Sequence, residues 1–435
     1  MMGRTPGSLV LTFVAVALIT SDGCSRVGRE DNSGQVRLTY WSAANVEEVE
    51  LARELTARWN AEHPEVQVIH QPIPESRSSE EVLLAAIAAK TTPDLCSVIW
   101  PGVVEQFVRA RALVRLDTFP DFFAVMTARM DSCILEQYRS LDGGFYQIPW
   151  KTNPILIQYN KKIFREAGID EVPRTYSEFL AAGEKVTRDL DGDGRPDRWM
   201  MFVNPDVRWW QRFFDFYTFY IAASGGRTLL RGREVAFGDS AAVAVFRFFR
   251  EGFERGIFPR SGFQGDAFLM GAIAAQITGP WNIPHVEKYK PPGFEYDFMP
   301  IPVPDDYEGP SYTYGDPKNI VIFSTCRNPR AAWAFARYLI SKEADRLLLE
   351  RTNQLPIRKD LLTDPRFADY FRSHPMMARF ARQIPYTRGV DLVPELKEVF
   401  DAISMEFEAT CIYGRKTPEE GVRDAVERCR QILME

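Results

Sequence analysis

Residues 36–100 switch repeatedly between two hydrophobic periods, and that alternation restricts the chain to an α/β fold. Segment 36–41 (VRLTYW) is β-branched and aromatic and reads as a strand. In 46–62, Val49, Ala52, Leu55 and Trp59 recur near helical spacing, and His63-Pro64 closes the helix because the residue before a proline disfavours the α conformation. A second strand at 66–69, a second helix at 80–90 (EEVLLAAIAAK) and a third, apolar strand at 93–100 (PDLCSVIW) complete the rhythm. Such alternation builds a sheet of parallel strands with helices on both faces. The pattern resumes with a strand at 155–159, helices at 163–168 and 176–188, an apolar segment at 274–278, strands at 296–301 and 320–323, and a helix at 329–340 (PRAAWAFARYLI). A chain of 435 residues exceeds what one core organises, so two lobes are expected.

Within 149–187 a strand ends in Tyr159-Asn160, a helix carries Phe164 and closes on Ala167-Gly168, a Pro173-Xaa-Thr175 turn follows, and an amphipathic helix contains Phe179. Gly279-Pro280-Trp281 stands about a hundred residues later. Together these motifs resemble the extracellular solute-binding proteins that deliver sugars to ABC importers. The resemblance implies an α/β, two-lobe periplasmic-binding-protein fold of type II character, with a hinge between discontinuous lobes that close on a ligand. Carried over, one lobe takes 36–149 with 316–358 and the other 150–315 with 359–435. It further implies a carbohydrate ligand, delivery to the membrane subunits of an ABC permease, a monomeric state and no catalytic reaction.

The amino terminus fits export. Residues 9–19 (LVLTFVAVALI) form an apolar run preceded by Arg4. Eleven residues fall short of the ~20 that span a bilayer as a helix, and suit the core of a secretory signal. Ser21-Asp22-Gly23-Cys24 resembles a lipoprotein cleavage site in Gly23 and Cys24 and departs from it at Ser21 and Asp22. Residues 1–23 therefore read as a signal peptide, Cys24 as the lipidated residue, and 24–35 as a polar tether, placing the protein in the periplasm or at the cell surface on a membrane anchor. Of the other five cysteines, Cys411 and Cys429 could bridge, or all five could be small buried hydrophobes. A net charge of −6 gives no basic face for nucleic acid. Four scattered histidines lack the spacing of a zinc site.

A sugar presents apolar C–H faces and a rim of hydroxyls, so its site needs aromatic rings beside planar polar groups. Trp41, Ser42 and Asn45 at the end of the first strand, and Trp100 at the end of the third, stand where open α/β sheets bind ligands. The alternative for either tryptophan is a cap on the sheet. Trp281 occupies the place of the family tryptophan whose ring packs on ligand. Asn153, before the crossing strand, and Tyr314-Gly315 in the TYGDP turn are further candidates. Between 199 and 220, ten of twenty-two residues are aromatic, mostly core of a helix; of the adjacent Trp209 and Trp210, one can be core while the other faces the cleft.

Asp189, Asp191, Asp193 and Asp197 alternate with glycines in the manner of a calcium loop, although Met200 replaces the acidic twelfth residue of an EF-hand. A structural calcium and a plain Asp/Gly turn are both open readings. Arg358, in the family's Leu-Pro-x-Arg segment, either bridges at the hinge or meets a ligand oxygen. Val390-Asp391-Leu392-Val393-Pro394 stands where several sugar binders carry a late tryptophan, which argues against a long maltodextrin. A polyol phosphate such as glycerol 3-phosphate is the alternative within the family. A secreted polysaccharide hydrolase, which needs two carboxylates across a glycosidic bond, is the rival outside it.

Overall fold

The structure is a computed structural model that describes residues 35–74, 79–205 and 208–434. The signal segment, Cys24 and all of the tether except Gln35 lie outside the described residues. From Val36 onward the chain forms one compact unit around two principal sheets. The six-stranded sheet runs, edge to edge, Leu355–Pro356, Ile148–Thr152, Lys318–Ile322, Leu95–Ile99, Val36–Ser42 and Val66–Pro72. The four-stranded sheet runs Tyr296–Met299, Leu156–Asn160, Ile273–Thr278 and Trp199–Met201. Each sheet with its helices makes one lobe of a two-lobe α/β fold. Strand Ile148–Thr152 straddles the expected lobe boundary at 149/150 and pairs within the first sheet.

Val36–Ser42 pairs in parallel with Val66–Pro72 and with Leu95–Ile99, each connected through a helix. The rest of that sheet departs from the parallel expectation: Lys318–Ile322 runs antiparallel to both Leu95–Ile99 and Ile148–Thr152. The reason is connectivity. This strand enters from the other lobe and not through a helical crossover, so nothing imposes the parallel direction that a βαβ unit requires.

The motif at 149–187 is a set of helix-end devices. Asn160 closes its strand and caps helix Lys161–Glu166, its side-chain oxygen accepting from the Lys162 and Ile163 N–H groups. Gly168 ends that helix at φ +66°, a left-handed conformation that a Cβ would oppose. Thr175 accepts from the Glu178 N–H while the Glu178 carboxylate accepts from Thr175 N–H, a reciprocal cap that starts helix Tyr176–Val186. Phe179, Phe248, Phe249 and Phe258 then pack as edge-to-face and tilted rings in the second lobe.

The carboxyl-terminal helices Leu396–Phe407 and Pro418–Met434 belong to that same core, with Phe407 and Cys429 fully buried. Cys411 and Cys429 are separate free thiols: the first donates to the Phe246 carbonyl and the second to the Val399 carbonyl. Both serve as small core residues, as do the buried Cys96 and Cys326, whereas Cys133 is exposed, so the reading of all five as buried hydrophobes holds for four of them. Asn160→Ala removes a cap with two accepted bonds and is expected to lower stability by about 1 kcal/mol in urea denaturation followed by circular dichroism.

Candidate functional site

Three groups of side chains converge on a cavity of about 1030 Å³. Helix Ser79–Ala89 supplies Glu80, Glu81 and Leu84, Trp100 follows strand Leu95–Ile99, and helix Val104–Arg109 supplies Gln106. The second lobe contributes Arg208, Trp209, Trp210, Phe213 and Phe214, with Lys397 from helix Leu396–Phe407. The crossing segment contributes Tyr314, Asp316 and Lys318. The cavity lies at the carboxyl end of strand Leu95–Ile99, where the fold leaves backbone groups and loops free to meet a ligand. A second cavity of about 800 Å³, between Trp59, Val125 and Tyr338, draws its walls from the first lobe alone.

The tryptophans are seated by glycines. The Trp100 ring lies over Gly102, where an added Cβ would stand 2.1 Å from the ring, and Trp281 folds over Gly279 at 2.0 Å. No other residue allows these rings to lie so close to the backbone. Trp100 is buried and donates its Nε1 proton to the Tyr314 hydroxyl at 3.0 Å, while its ring lies 5.4 Å from Trp209 and 5.2 Å from Phe213. Trp209 is half-buried against that cluster. Trp210 is 41% exposed and Trp281 37% exposed, with Phe214 between the Trp281 ring at 6.4 Å and the Tyr314 ring at 6.3 Å. The Tyr314 hydroxyl reaches the Asp316 carboxylate, which lies 3.6 Å from the Lys318 ammonium. The cavity thus joins exposed apolar ring faces to charged groups of both signs.

Beneath it the chain crosses between lobes on a buried polar cluster. Lys151 is 1% exposed and pairs with Glu48 at 2.6 Å. Gln354 donates to the same Glu48 oxygen at 2.8 Å, and Asn45, while capping helix Val46–Glu62, adds a longer bond at 3.3 Å. Asn153 donates its side-chain N–H to Gln354 and its backbone N–H to the Gly315 carbonyl. Gly315 is required there, since a Cβ would stand 2.6 Å from the Thr152 hydroxyl that also binds its carbonyl. Burial alone would raise the Glu48 carboxyl, but the Lys151 ammonium and the two amides outweigh it and hold the group below the ordinary carboxylate value.

Of the residues singled out in the sequence, Trp100, Trp209, Trp210 and Tyr314 line the cavity, and Trp281 adjoins it through Phe214. Asn45, Asn153 and Gly315 sit in the crossing cluster. Trp41 packs half-buried on the same core as Trp100, and Ser42 lies in hydrogen-bond contact with His70. Arg358 is brought elsewhere: it is buried, pairs with Asp345 and Asp360, and touches the first-lobe cavity. Asp189, Asp191 and Asp197 gather carboxylate oxygens within 4.8 Å on the surface, and Asp193 accepts from Arg195 N–H. These carboxylates accept the loop's own backbone N–H groups, and none of the four lines the cavity.

Sequence reading overlooked Glu48, Lys151, Gln354, Phe213, Phe214 and Lys318. Lys151 carried a usable signal, a lone cation inside an otherwise uncharged strand (IPWKT), which forces a buried partner. Glu48 carried none, being one of several acids in its helix.

A model of bacterial extracellular solute-binding proteins matches residues 54–372. A Brucella abortus protein described only as a binding protein is 23% identical over 416 residues, covering 92% of this chain and 94% of its own length. The maltotriose-binding protein of Pyrococcus abyssi is 23% identical over 386 residues, covering 86% of this chain and 77% of that protein. Among solved structures, the cyclic alpha-maltosyl-1,6-maltose binding protein of Arthrobacter globiformis superposes with a TM-score of 0.78 at 20% identity, over 92% of this chain and 99% of that one.

Lys151→Met leaves the Glu48 charge buried and unpaired and is expected to lower stability by about 3–5 kcal/mol in urea denaturation. The double variant Lys151→Met with Glu48→Gln recovers most of that loss. Because the folded Glu48 carboxyl is depressed from 4.5, its contribution is complete above that pH and disappears as the pH falls through the lower folded value. An acid titration of stability is therefore shallower in the double variant than in the wild type.

Proposed function

The chain belongs to the bacterial extracellular solute-binding protein family, and from that membership we propose that it captures a carbohydrate in the cleft between its lobes and hands it unchanged to an ABC permease. The supporting observation is the chemistry of the cavity: partly exposed indole and phenyl faces from the second lobe meet a polar rim from the first lobe and the crossing segment. Rings cover the C–H faces of a pyranose at little conformational cost, and the carboxylates and ammonium groups satisfy its hydroxyls in either direction. The maltotriose-binding relative favours an oligosaccharide. Trp210 and Trp281 are the stacking surfaces in this reading, Trp100 and Tyr314 their buried support, and Asp316 and Lys318 the hydroxyl partners.

Hinge closure between the two sheets would bury the ligand, with the lobes divided at the crossings near 150 and 316 and at the segment after 358. Residues 1–23 direct export, and lipid on Cys24 tethers the monomer beside its permease. No reaction is required, since capture and release suffice for delivery.

The test is isothermal titration of the exported chain with maltotriose, a galacto-oligosaccharide and glycerol 3-phosphate. Saturable binding of one sugar is expected, with Trp210→Ala weakening it about ten-fold, the equivalent of ~1.4 kcal/mol for one lost stacking face. Binding of glycerol 3-phosphate alone overturns the carbohydrate assignment and leaves the solute-binding role intact.

A further inference from the structure

The wall carrying Trp209, Trp210, Phe213 and Phe214 contains a buried pair of charges that no ligand needs to touch. In the run Trp209-Trp210-Gln211-Arg212-Phe213-Phe214-Asp215, the ionic residues bracket the two cleft phenylalanines. Arg212 and Asp215 have side chains 1% and 2% exposed and stand 3.0 Å apart. The guanidinium lies over the Phe407 ring at 4.3 Å, and one Nη donates to the Asn204 carbonyl at 3.0 Å, a point upstream of the wall. The Asp215 carboxylate accepts from the Phe216 N–H at 2.5 Å. The backbone of Phe213–Tyr217 is a π-helix, a wide turn with one extra residue that is frequent at functional sites; a second one, Glu408–Ile412, packs in the same core.

This pair is poorly satisfied. Arg212 Nε has no partner, and Asp215 Oδ2 faces the guanidinium without an aligned hydrogen bond. Burial raises the Asp215 carboxyl to about 6 even with Arg212 beside it. The other charged or titratable groups facing the pair are Glu408, toward Arg212, and Cys411, toward both. A buried ion pair of this quality is commonly replaceable by apolar residues at no loss of stability, so stability does not explain it. What it does hold is geometry. The guanidinium holds the Asn204 carbonyl upstream of the wall, the carboxylate holds the Phe216 N–H after it, and the four aromatic residues lie between.

We propose that Arg212 and Asp215 are positioning residues whose ion pair locks the aromatic wall of the cleft in its binding arrangement and so sets ligand affinity from beneath. This rests on the cleft being the solute site. Acidification separates this role from a structural one. A carboxyl with a raised folded value takes up its proton in the folded state first, so lowering the pH from 7.5 to 5 neutralises Asp215 without costing stability through this group. Affinity then falls while the fold persists.

The experiment uses the full chain and two variants, Asp215→Asn and the apolar pair Arg212→Met with Asp215→Leu, the second retaining the fold if the first does not. Amide hydrogen exchange of the ligand-free protein and maltotriose titration at pH 7.5 and pH 5 are measured on each. The expected result is exchange accelerated at least ten-fold across 208–217 and unchanged in 36–100, together with a ten-fold weaker Kd. Acid weakening of the Kd is expected in the wild type and not in the folded variants. Folded variants with wild-type exchange across 208–217, or with wild-type Kd and the same acid response, overturn the proposal. If the wild type binds no maltotriose, the carbohydrate reading has failed on its own, and the exchange arm still decides whether the pair holds the wall.

Discussion

An ammonium group with almost no access to water has to be neutralised where the chain passes from one sheet to the other, and the crossing is arranged around that need. Lys151 stands in the strand register beside Lys318 and Pro356, so its charge lies at the centre of the crossing segments. Glu48 answers it from the first turn of a helix, where the helix dipole also favours a carboxylate. Because Glu48 additionally accepts from Gln354, and Gln354 accepts from Asn153, a single carboxylate connects the opening helix to two separate passages of the chain. Moving either passage would leave a buried charge short of partners, at several kcal/mol. The crossing is thereby held in one register, and the cavity above it inherits a fixed floor in Tyr314, Asp316 and Lys318.

On that floor the aromatic surface is assembled from rings that require little else. A tryptophan laid over a glycine two residues away needs no side-chain partner beneath it, because the backbone is its support. Trp100 uses Gly102 and Trp281 uses Gly279, one from each lobe. The two differ in exposure because Trp100 is also covered by Trp209 and Phe213, whereas the one ring that Trp281 meets among the described residues is Phe214, at its edge. Burial of the first stiffens the cavity, and exposure of the second leaves its ring face open beside the cavity. The same residue type at the same local geometry therefore serves two purposes, according to what packs above it.

The elements whose signals are local were legible in the sequence. Helix Val46–Glu62 and helix Tyr176–Val186 occur where spacing and caps place them, and the motif around Asn160 was readable because capping acts over two or three residues. Strand Ile148–Thr152 escaped because it has no alternation and contains a proline and a lysine, whose acceptance depends on partners far away in sequence. The antiparallel entry of Lys318–Ile322 escaped for the same reason, since direction is decided by the route between lobes. In the site, tryptophans were visible as residue types, but Phe213 and Phe214 merged into a run of ten aromatics whose faces a π-helix reassigns. Arg358 was visible as a cation near the hinge, while Asp345, which claims it, is thirteen positions away with nothing local to connect them.

The two buried ion pairs beneath the cleft show why burial of charge cannot be read as one kind of device. Lys151 and Glu48 are joined by a short contact and two amides, and the carboxyl stays below its ordinary value although burial also lowers the Lys151 ammonium, so the well-satisfied side of this pair is the carboxylate. Arg212 and Asp215 are equally dry, yet the carboxyl rises, so desolvation wins and the pair is a net cost at neutral pH. The first pair holds the crossing through the hydrogen bonds that Gln354 and Asn45 add to its carboxylate. The second can persist only because Phe407, the Asn204 carbonyl and the aromatic wall around it are already packed, so its charges act on orientation and contribute nothing to cohesion. A rigid floor and a wall whose set depends on a marginal pair place the adjustable element of the cavity on the second lobe, beneath Trp209 and Trp210.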